Sequence, residues 1–347
     1  DTAVFNKQLL SEEVDAVFFD ANKDGYPDLY VVSGGNHLAD NNEELADHLY
    51  INNGAGHFTL QADAIPKILK NKSCVAASDI DHDGDMDLFV GGLADAKKYG
   101  VAQSSYLLLN NGSGVFNVAT AQQINLGNQG IVTSAAFADL NKDGWDELLI
   151  TGEWMPLRIF MNNKGNFTAK DVPASTGLWQ SICVTDVNGD GNMDVIAGNW
   201  GCNNKFYAGK NGPLKLYVKD FDKNGSLEQV MCYTINGNEY TFLAKDELER
   251  SLPVLKKAYL KYSDVAGKTV QYMFDDLFKD YVELKAEVLA SSVFINNGKA
   301  EFGIKALPDE SQLSPLFAIS AMSDDTWLTG GNFYGVVPYE GRYDAQI

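Results

Sequence analysis

The sequence predicts an all-β chain assembled from repeated four-stranded units, and three observations carry that prediction. A nine-residue acidic pattern occurs five times: an acid, Asp or Asn at positions 3 and 5, Gly at position 6, and an acid at position 9. Each copy lies between short apolar runs, and two further turn signals recur downstream of it. Self-similarity on this scale makes the repeat, rather than the single element, the unit from which the fold is read.

The five copies open at Asp20, Asp79, Asp139, Asp186 and Asp220, spaced 59, 60, 47 and 34 residues apart. Their candidate ligands are Asp20, Asn22, Asp24 and Asp28; Asp79, Asp81, Asp83 and Asp87; Asp139, Asn141, Asp143 and Glu147; Asp186, Asn188, Asp190 and Asp194; and Asp220, Asp222, Asn224 and Glu228. Oxygen donors at alternate positions of a tight loop, with Gly at the sharp turn, suit a hard cation such as Ca²⁺. An EF-hand loop begins in the same way but requires a Glu at position 12 between two helices. Here position 12 is Val31, Val90, Ile150, Ala197 or Met231, none of which ligates through its side chain. An Asp-Gly turn needs no acid at both positions 1 and 9, so five copies in step point to metal, with about four to five structural Ca²⁺ per chain expected. The all-Asp second loop is expected to bind tightest and the fifth, with Asn224, weakest.

The runs before each loop (Val17-Phe18-Phe19, Val75-Ala76-Ala77, Ala135-Ala136-Phe137) and after it (Leu29 to Val32, Leu88 to Val90, Leu148 to Ile150, Val195-Ile196) are short and bounded by Gly. That pattern predicts buried strands. A Gly-rich turn follows the second strand, at Gly34-Gly35, Gly91-Gly92, Gly152, Gly198 and Gly330-Gly331. An Asn-Asn pair then closes a hairpin at Asn52-Asn53, Asn110-Asn111, Asn162-Asn163 and Asn296-Asn297. The unit is therefore strand A, acidic loop, strand B, Gly-rich turn, strand C, Asn turn, strand D. Units of this length and strand number build the blades of a β-propeller. Phe317 to Gly331 reads as a sixth unit whose loop is too short for a metal. Six blades in one domain spanning 1–347 is the expectation, closed by strands from both ends (Val4-Phe5 resembles an outermost strand), and seven is the alternative. Within 245–280 the pattern changes: Leu248, Leu252, Leu255 and Tyr259, then Val270, Met273, Phe274, Leu277 and Phe278, follow helical spacing. Two amphipathic helices inserted in blade five are predicted, with Pro253 at a kink or a start.

The acidic loop, apolar strand and Gly together resemble FG-GAP (VCBS) repeats, such as those of integrin alpha-subunit propellers. Gly198-Asn199-Trp200-Gly201, Asp246 to Gly267, Gly331 to Gly335 and Gly341 to Asp344 further resemble the FG-GAP regions of ASPIC/UnbV-type proteins of Bacteroidetes. The resemblance implies a calcium-stabilised propeller outside the cell or in its envelope, and implies no enzyme activity.

Among 347 residues there are 47 acids against 27 Lys and Arg, a net charge of -20. Sixteen of those acids lie at loop ligand positions, so much of the excess is accounted for by the metal sites. An acidic surface argues against nucleic acid and anionic membranes as partners, and no apolar run has the length of a membrane span. The four cysteines show no metal spacing; Cys74 and Cys183 read as core thiols, with a Cys202–Cys232 bridge as an alternative. The calcium chemistry places the protein outside the cytoplasm, secreted or at the cell surface.

In a propeller the acidic A–B loops share one face and the Gly-rich turns the other. The second face gathers Asn36, His37, Glu153, Trp154, Asn199, Trp200, Asn203, Asn332, Tyr334 and Arg342. Aromatics beside amides suit a glycan, a peptide or a protein surface, although Trp154 and Trp200 equally suit packing between blades. A non-catalytic binding or scaffold module is the leading expectation. The alternative is a polysaccharide lyase or hydrolase, with Glu153 and His37 or Arg342 as its acid–base set; no nucleophile motif supports it.

Overall fold

The computed structural model describes residues 10–206, 208, 212–323 and 326–335, together with Val4. Strands β1 (Glu12–Phe19), β2 (Asp28–Gly34), β3 (His48–Asn52) and β4 (Phe58–Leu60) form one antiparallel sheet in that order. The second sheet uses β5 (Lys72–Ser78), β6 (Asp87–Gly92), β9 (Tyr106–Asn110) and β10 (Phe116–Val118). Its B–C connection carries a small hairpin, β7 (Ala94–Asp95) and β8 (Lys98–Ala102). The third sheet is β11 (Ile131–Ala138), β12 (Glu147–Met155), β13 (Arg158–Asn163) and β14 (Asn166–Asp171), with β15 (Gly177–Leu178) beside the end of β12. The fourth begins with β16 (Ser181–Thr185) and β17 (Asp194–Gly198) and is completed by β22 (Ser292–Asn296) and β23 (Phe302–Ala306). A fifth unit contributes β24 (Leu316–Ser323) and β25 (Thr326–Gly331).

The A strands β1, β5, β11, β16 and β24 lie next to one another in that order. The apolar core is the set of layers between consecutive sheets. Leu88 and Val90 pack with Tyr30, Val32 and Leu49 of the first sheet, whereas Phe89 faces Leu148, Ile150 and Phe160 of the third. Leu149 and Ile159 pack on Val195 and Phe294 of the fourth. Side chains alternate across a strand, so a strand covered on both faces must be apolar at every position. This is why the B strands read as unbroken apolar runs.

The fifth acidic loop is not in this series. The expectation put it and the helices in blade five, but β17 pairs directly with β22, and everything between them is an insertion in the B–C connection of the fourth unit. Within it, β18 (Leu214–Lys219), β19 (Glu228–Ile235), β20 (Asn238–Thr241) and β21 (Val282–Ala286) form a separate sheet in the order β20-β19-β18-β21. The physical reason lies in the Asn turn. The Asn296 N–H donates to Oδ1 of Asp194 at 2.8 Å, so this turn belongs to the fourth loop and not to the fifth.

The helical segment is shorter-grained than expected: α1 (Lys245–Ser251), α2 (Pro253–Ala258), α3 (Tyr262–Val265) and α4 (Val270–Phe274). Pro253 is the first residue of α2, where its missing N–H costs nothing. Leu248, Leu252, Leu255, Val270, Met273 and Phe274 pack with Tyr217 and Val230 of the inserted sheet and Phe221 of the fifth loop. None of the four cysteines is bridged: Cys74 and Cys232 are buried, Cys183 is half-buried and Cys202 is exposed. No helix among the described residues is long and apolar enough to cross a membrane.

Candidate metal loops and the face opposite

Each acidic loop is pinned by its own first residue. In the first, Oδ1 and Oδ2 of Asp20 accept from the Asp24 and Gly25 N–H groups at 3.1 and 2.8 Å. Asp139, Asp186 and Asp220 repeat the pattern, with Gly144, Gly191 and Gly225 donating at 2.9, 2.7 and 2.9 Å. Gly25, Gly84, Gly144, Gly191 and Gly225 all have positive φ, between 80° and 91°, so the Gly at position 6 is a backbone requirement.

The acid at position 9 has a second task. Asp28 is fully buried; its Oδ2 accepts from Ala21 N at 2.9 Å and its Oδ1 from Asn52 N at 2.7 Å. Asp87 holds Asn110 N at 2.8 Å, and Asp194 holds Asn296 N at 2.8 Å. The carboxylate thus ties loop A–B to turn C–D within a unit. The Asn side chain then reaches the preceding unit: Asn110 Nδ2 donates to the Ala21 carbonyl, Asn162 Nδ2 to Ile80 and Asn296 Nδ2 to Leu140, at 2.8, 2.9 and 2.8 Å. Burial pushes the pKa of every position-9 acid up, to about 7 for Asp87 and for Glu147, against the opposing effect of the backbone N–H groups they accept from.

The loops differ where their sequences differ. With Asp at position 3, the second and fifth loops bring three carboxylates together: Asp79, Asp81 and Asp83, and Asp220, Asp222 and Glu228, each set with ligand oxygens within 4.8 Å of one another. The fifth loop was expected to bind weakest because of Asn224 at position 5, yet its three acids Asp220, Asp222 and Glu228 converge. With Asn at position 3, the other three loops hold an internal amide bond instead: Asn22, Asn141 and Asn188 donate to Asp24, Asp143 and Asp190 at 3.1, 3.0 and 3.0 Å. In the second loop, Asp79 Oδ1 and Asp85 Oδ1 are buried without a hydrogen-bond partner. Hard oxygen donors with orphaned lone pairs fit a Ca²⁺ ion.

The opposite face is covered in part. Leu214, Leu216 and Val218 of the inserted sheet share one apolar cluster with Ala94, Ile131, Trp154 and Leu178, residues from the Gly-rich-turn ends of the second and third units. Trp154 is accordingly buried, at a strained φ of 62°, and its Nε1 donates to Tyr99 Oη at 2.8 Å. Tyr99 Oη and Gln180 Nε2 donate to the two carboxylate oxygens of Glu153 at 2.5 and 3.1 Å. Asn199 is fully buried and donates from Nδ2 to the Val288 carbonyl at 3.0 Å. Trp200 packs edge-on against Phe206 and Phe333. Asn36 accepts from Asn71 at 3.0 Å, and His37 Nδ1 pairs with Glu12 at 2.9 Å. Asn203 Nδ2 donates to the Leu313 carbonyl at 3.1 Å. Asn332 accepts from Ser314 at 3.0 Å and donates to Tyr334, whose side chain is exposed. Arg342 and Phe5 of the expected N-terminal closing strand lie outside the described residues. These residues therefore form separate local groups, and the insertion rather than an open mouth meets Trp154.

Sequence reasoning missed one buried charge network. Lys72 is fully buried, pairs with Asp47 at 3.2 Å and donates to the carbonyls of Leu45, Ile68 and Lys70. Asp47 also accepts from Tyr30 Oη at 2.8 Å and Ser33 N at 2.9 Å. A lone Lys before a strand carries no signal of this kind in sequence.

Consecutive antiparallel sheets, each opened by an oxygen-rich loop and stitched to its predecessor by an Asn, define a β-repeat protein. Residues 19–90 and 139–197 match the FG-GAP-like repeat family, so the chain carries FG-GAP-like repeats over those segments. The matched segments hold the first four loops; the fifth, in the insertion, lies outside them. No curated protein matches the chain. Among solved structures, a lectin of Agrocybe aegerita, described by its specific recognition of non-reducing terminal N-acetylglucosamine, is 18% identical. That match covers 88% of this chain and 82% of the lectin, at a TM-score of 0.36, a similarity too low to transfer fold or ligand.

Proposed function

We propose that this protein is a calcium-stabilised β-propeller, a single domain carrying an inserted sheet, that works as a non-catalytic binding module for a glycan, peptide or protein outside the cytoplasm. The observation that carries the reading is the second loop: Asp79, Asp81 and Asp83 converge, and Asp79 Oδ1 is buried without a hydrogen-bond partner, a donor set that supports a bound cation. Asp20, Asn22, Asp24 and Asp28, and their counterparts in the other four loops, would hold the ions. The ions would have a structural role, because the first four loops are tied through their position-9 acid to the Asn turn of the same unit. The FG-GAP-like repeats support a propeller-like binding module. The engagement of both Glu153 carboxylate oxygens supports a positioning role for that residue over acid–base chemistry. The ligand would meet the exposed margin of the Gly-rich-turn face, beside Tyr334 and His37, where the insertion leaves side chains accessible. Calcium at the concentrations found outside cells suits such sites, which supports a location at the surface or in the medium.

Thermal unfolding with Ca²⁺, with Mg²⁺ and with chelator, alongside elemental analysis, tests the metal. A Ca²⁺-specific rise in midpoint with about four to five ions per chain is expected. An unchanged midpoint and metal-free protein would overturn the reading. Binding to arrayed glycans and peptides then tests the ligand class.

A further inference from the structure

Along the first four loops, the side chain at position 4 serves the next loop rather than its own. Lys23, His82 and Lys142 all occupy left-handed backbone, with φ of 62°, 60° and 62°. Lys23 Nζ lies 3.6 Å from Asp85 Oδ2, at position 7 of the second loop, and 3.5 Å from the Asp83 carbonyl. His82 stacks on Trp145, at position 7 of the third loop, with ring centroids 3.9 Å apart and planes 13° from parallel. The Lys142 ammonium stands 3.6 Å from where a Cβ on Gly191 of the fourth loop would be, and Lys23 holds the same relation to Gly84 at 3.8 Å. The fourth loop has Gly189 at position 4, and the sequence of the next unit in the series lacks the nine-residue acidic pattern. Position 7 in turn addresses the ligands: the N–H of Asp85, Trp145 and Asn192 donates to Oδ1 of Asp83, Asp143 and Asp190 at 3.1, 2.9 and 2.8 Å.

A path therefore runs from ligand positions 3 and 5 of one loop, through position 4, to position 7 and ligand position 5 of the next at the first two junctions, and to Gly191 at position 6 at the third. We propose that the first four loops bind cations as a coupled series, in which filling one loop raises the affinity of its neighbour. The proposal rests on reading the loops as cation sites. A cation that fixes positions 3 and 5 also fixes the residue between them. Its side chain then holds position 7 of the next loop in place, so less ordering remains when that loop binds. By linkage the effect is reciprocal.

The His82–Trp145 stack makes the coupling readable. The Ca²⁺-dependent fluorescence change that is lost in Trp145→Phe and kept in His82→Gly reports the third loop. Asp81→Asn with Asp83→Asn weakens the second loop; should that pair not fold, Asp83→Asn alone repeats the residue that the fifth loop carries at the same position. Weakening the second loop is expected to move the third-loop Ca²⁺ midpoint upward by at least about fivefold. In a His82→Gly background, which copies the fourth loop and suits the left-handed backbone, the same change is expected to leave the midpoint where it was. Equal shifts in both backgrounds, or none in either, overturn the coupled series while leaving the loops as cation sites. A native protein that shows no Ca²⁺ response overturns the cation reading, and the coupling with it.

Discussion

The acid at position 9 and the first Asn of the Asn turn form one device. The carboxylate holds the turn of its own unit and the amide holds the loop of the unit before. Replacing Asn110 by Ala strips the Ala21 and Met86 carbonyls of their donor and leaves buried acceptors unpaired. A loss of about 2 kcal/mol in urea unfolding is expected, because an orphaned buried group costs more than a hydrogen bond gains. Asn52→Ala should cost less, since Asn52 Nδ2 donates within its own unit, to Pro27. The same buried acids set a pH dependence. Burial raises Asp87 and Glu147 to about 7 in the metal-free fold, well above an unfolded carboxyl. A raised folded-state pKa favours the protonated form. The stability it contributes is complete below about pH 4 and lost as pH climbs towards 7. With chelator present, the unfolding midpoint should therefore fall between about pH 4 and pH 7 through these two groups. Excess Ca²⁺ should offset that loss, so the Ca²⁺-induced rise should be larger at neutral than at acid pH. The oxygen-rich loops were legible in sequence, because spacing and residue type together specify oxygen donors. The stitching role of Asn110, Asn162 and Asn296 was not, because an Asn-Gly pair reads only as a turn former.

Strand assignments followed from short apolar runs bounded by Gly, and the A, B, C and D order was recovered in the first four units. Gly at the end of strand B looked like turn chemistry, but the structure gives it a steric reason. A Cβ on Gly198 would lie 2.3 Å from the Leu316 carbonyl of the next unit. Gly198→Ala should force the fourth and fifth units apart and cost about 1–3 kcal/mol in chemical denaturation. Gly303→Ala, where an added Cβ meets nothing within 4 Å, should be close to neutral. The fifth loop shows the limit of pattern reading. Its nine residues obey the repeat, yet β18 and β19 stand outside the series, because strand C of the fourth unit comes 94 residues after β17. Only the pairing of β17 with β22 reveals this.

The inserted sheet decides what the molecule presents on the face opposite the loops. Its contact with the second unit runs through the β7–β8 hairpin, where Gly100 has φ of 95° and a Cβ would sit 2.5 Å from Val218 Cγ2. Gly100→Ala is strained twice over, in backbone and in space. Faster hydrogen exchange across β18 to β21, with little change in the first sheet, is the expected result. Unchanged exchange would mean that the insertion is held elsewhere. The sequence by itself determined the all-β repeat, the strand order within a unit and the oxygen-donor loops. All of these depend on local spacing and on side-chain alternation within a few residues. Tertiary structure alone decided that the fifth loop lies in an insertion, that this insertion buries Trp154, and that neighbouring loops touch through position 4. Those outcomes depend on which strands pair and which sheets stack across long separations, and no local pattern encodes that choice.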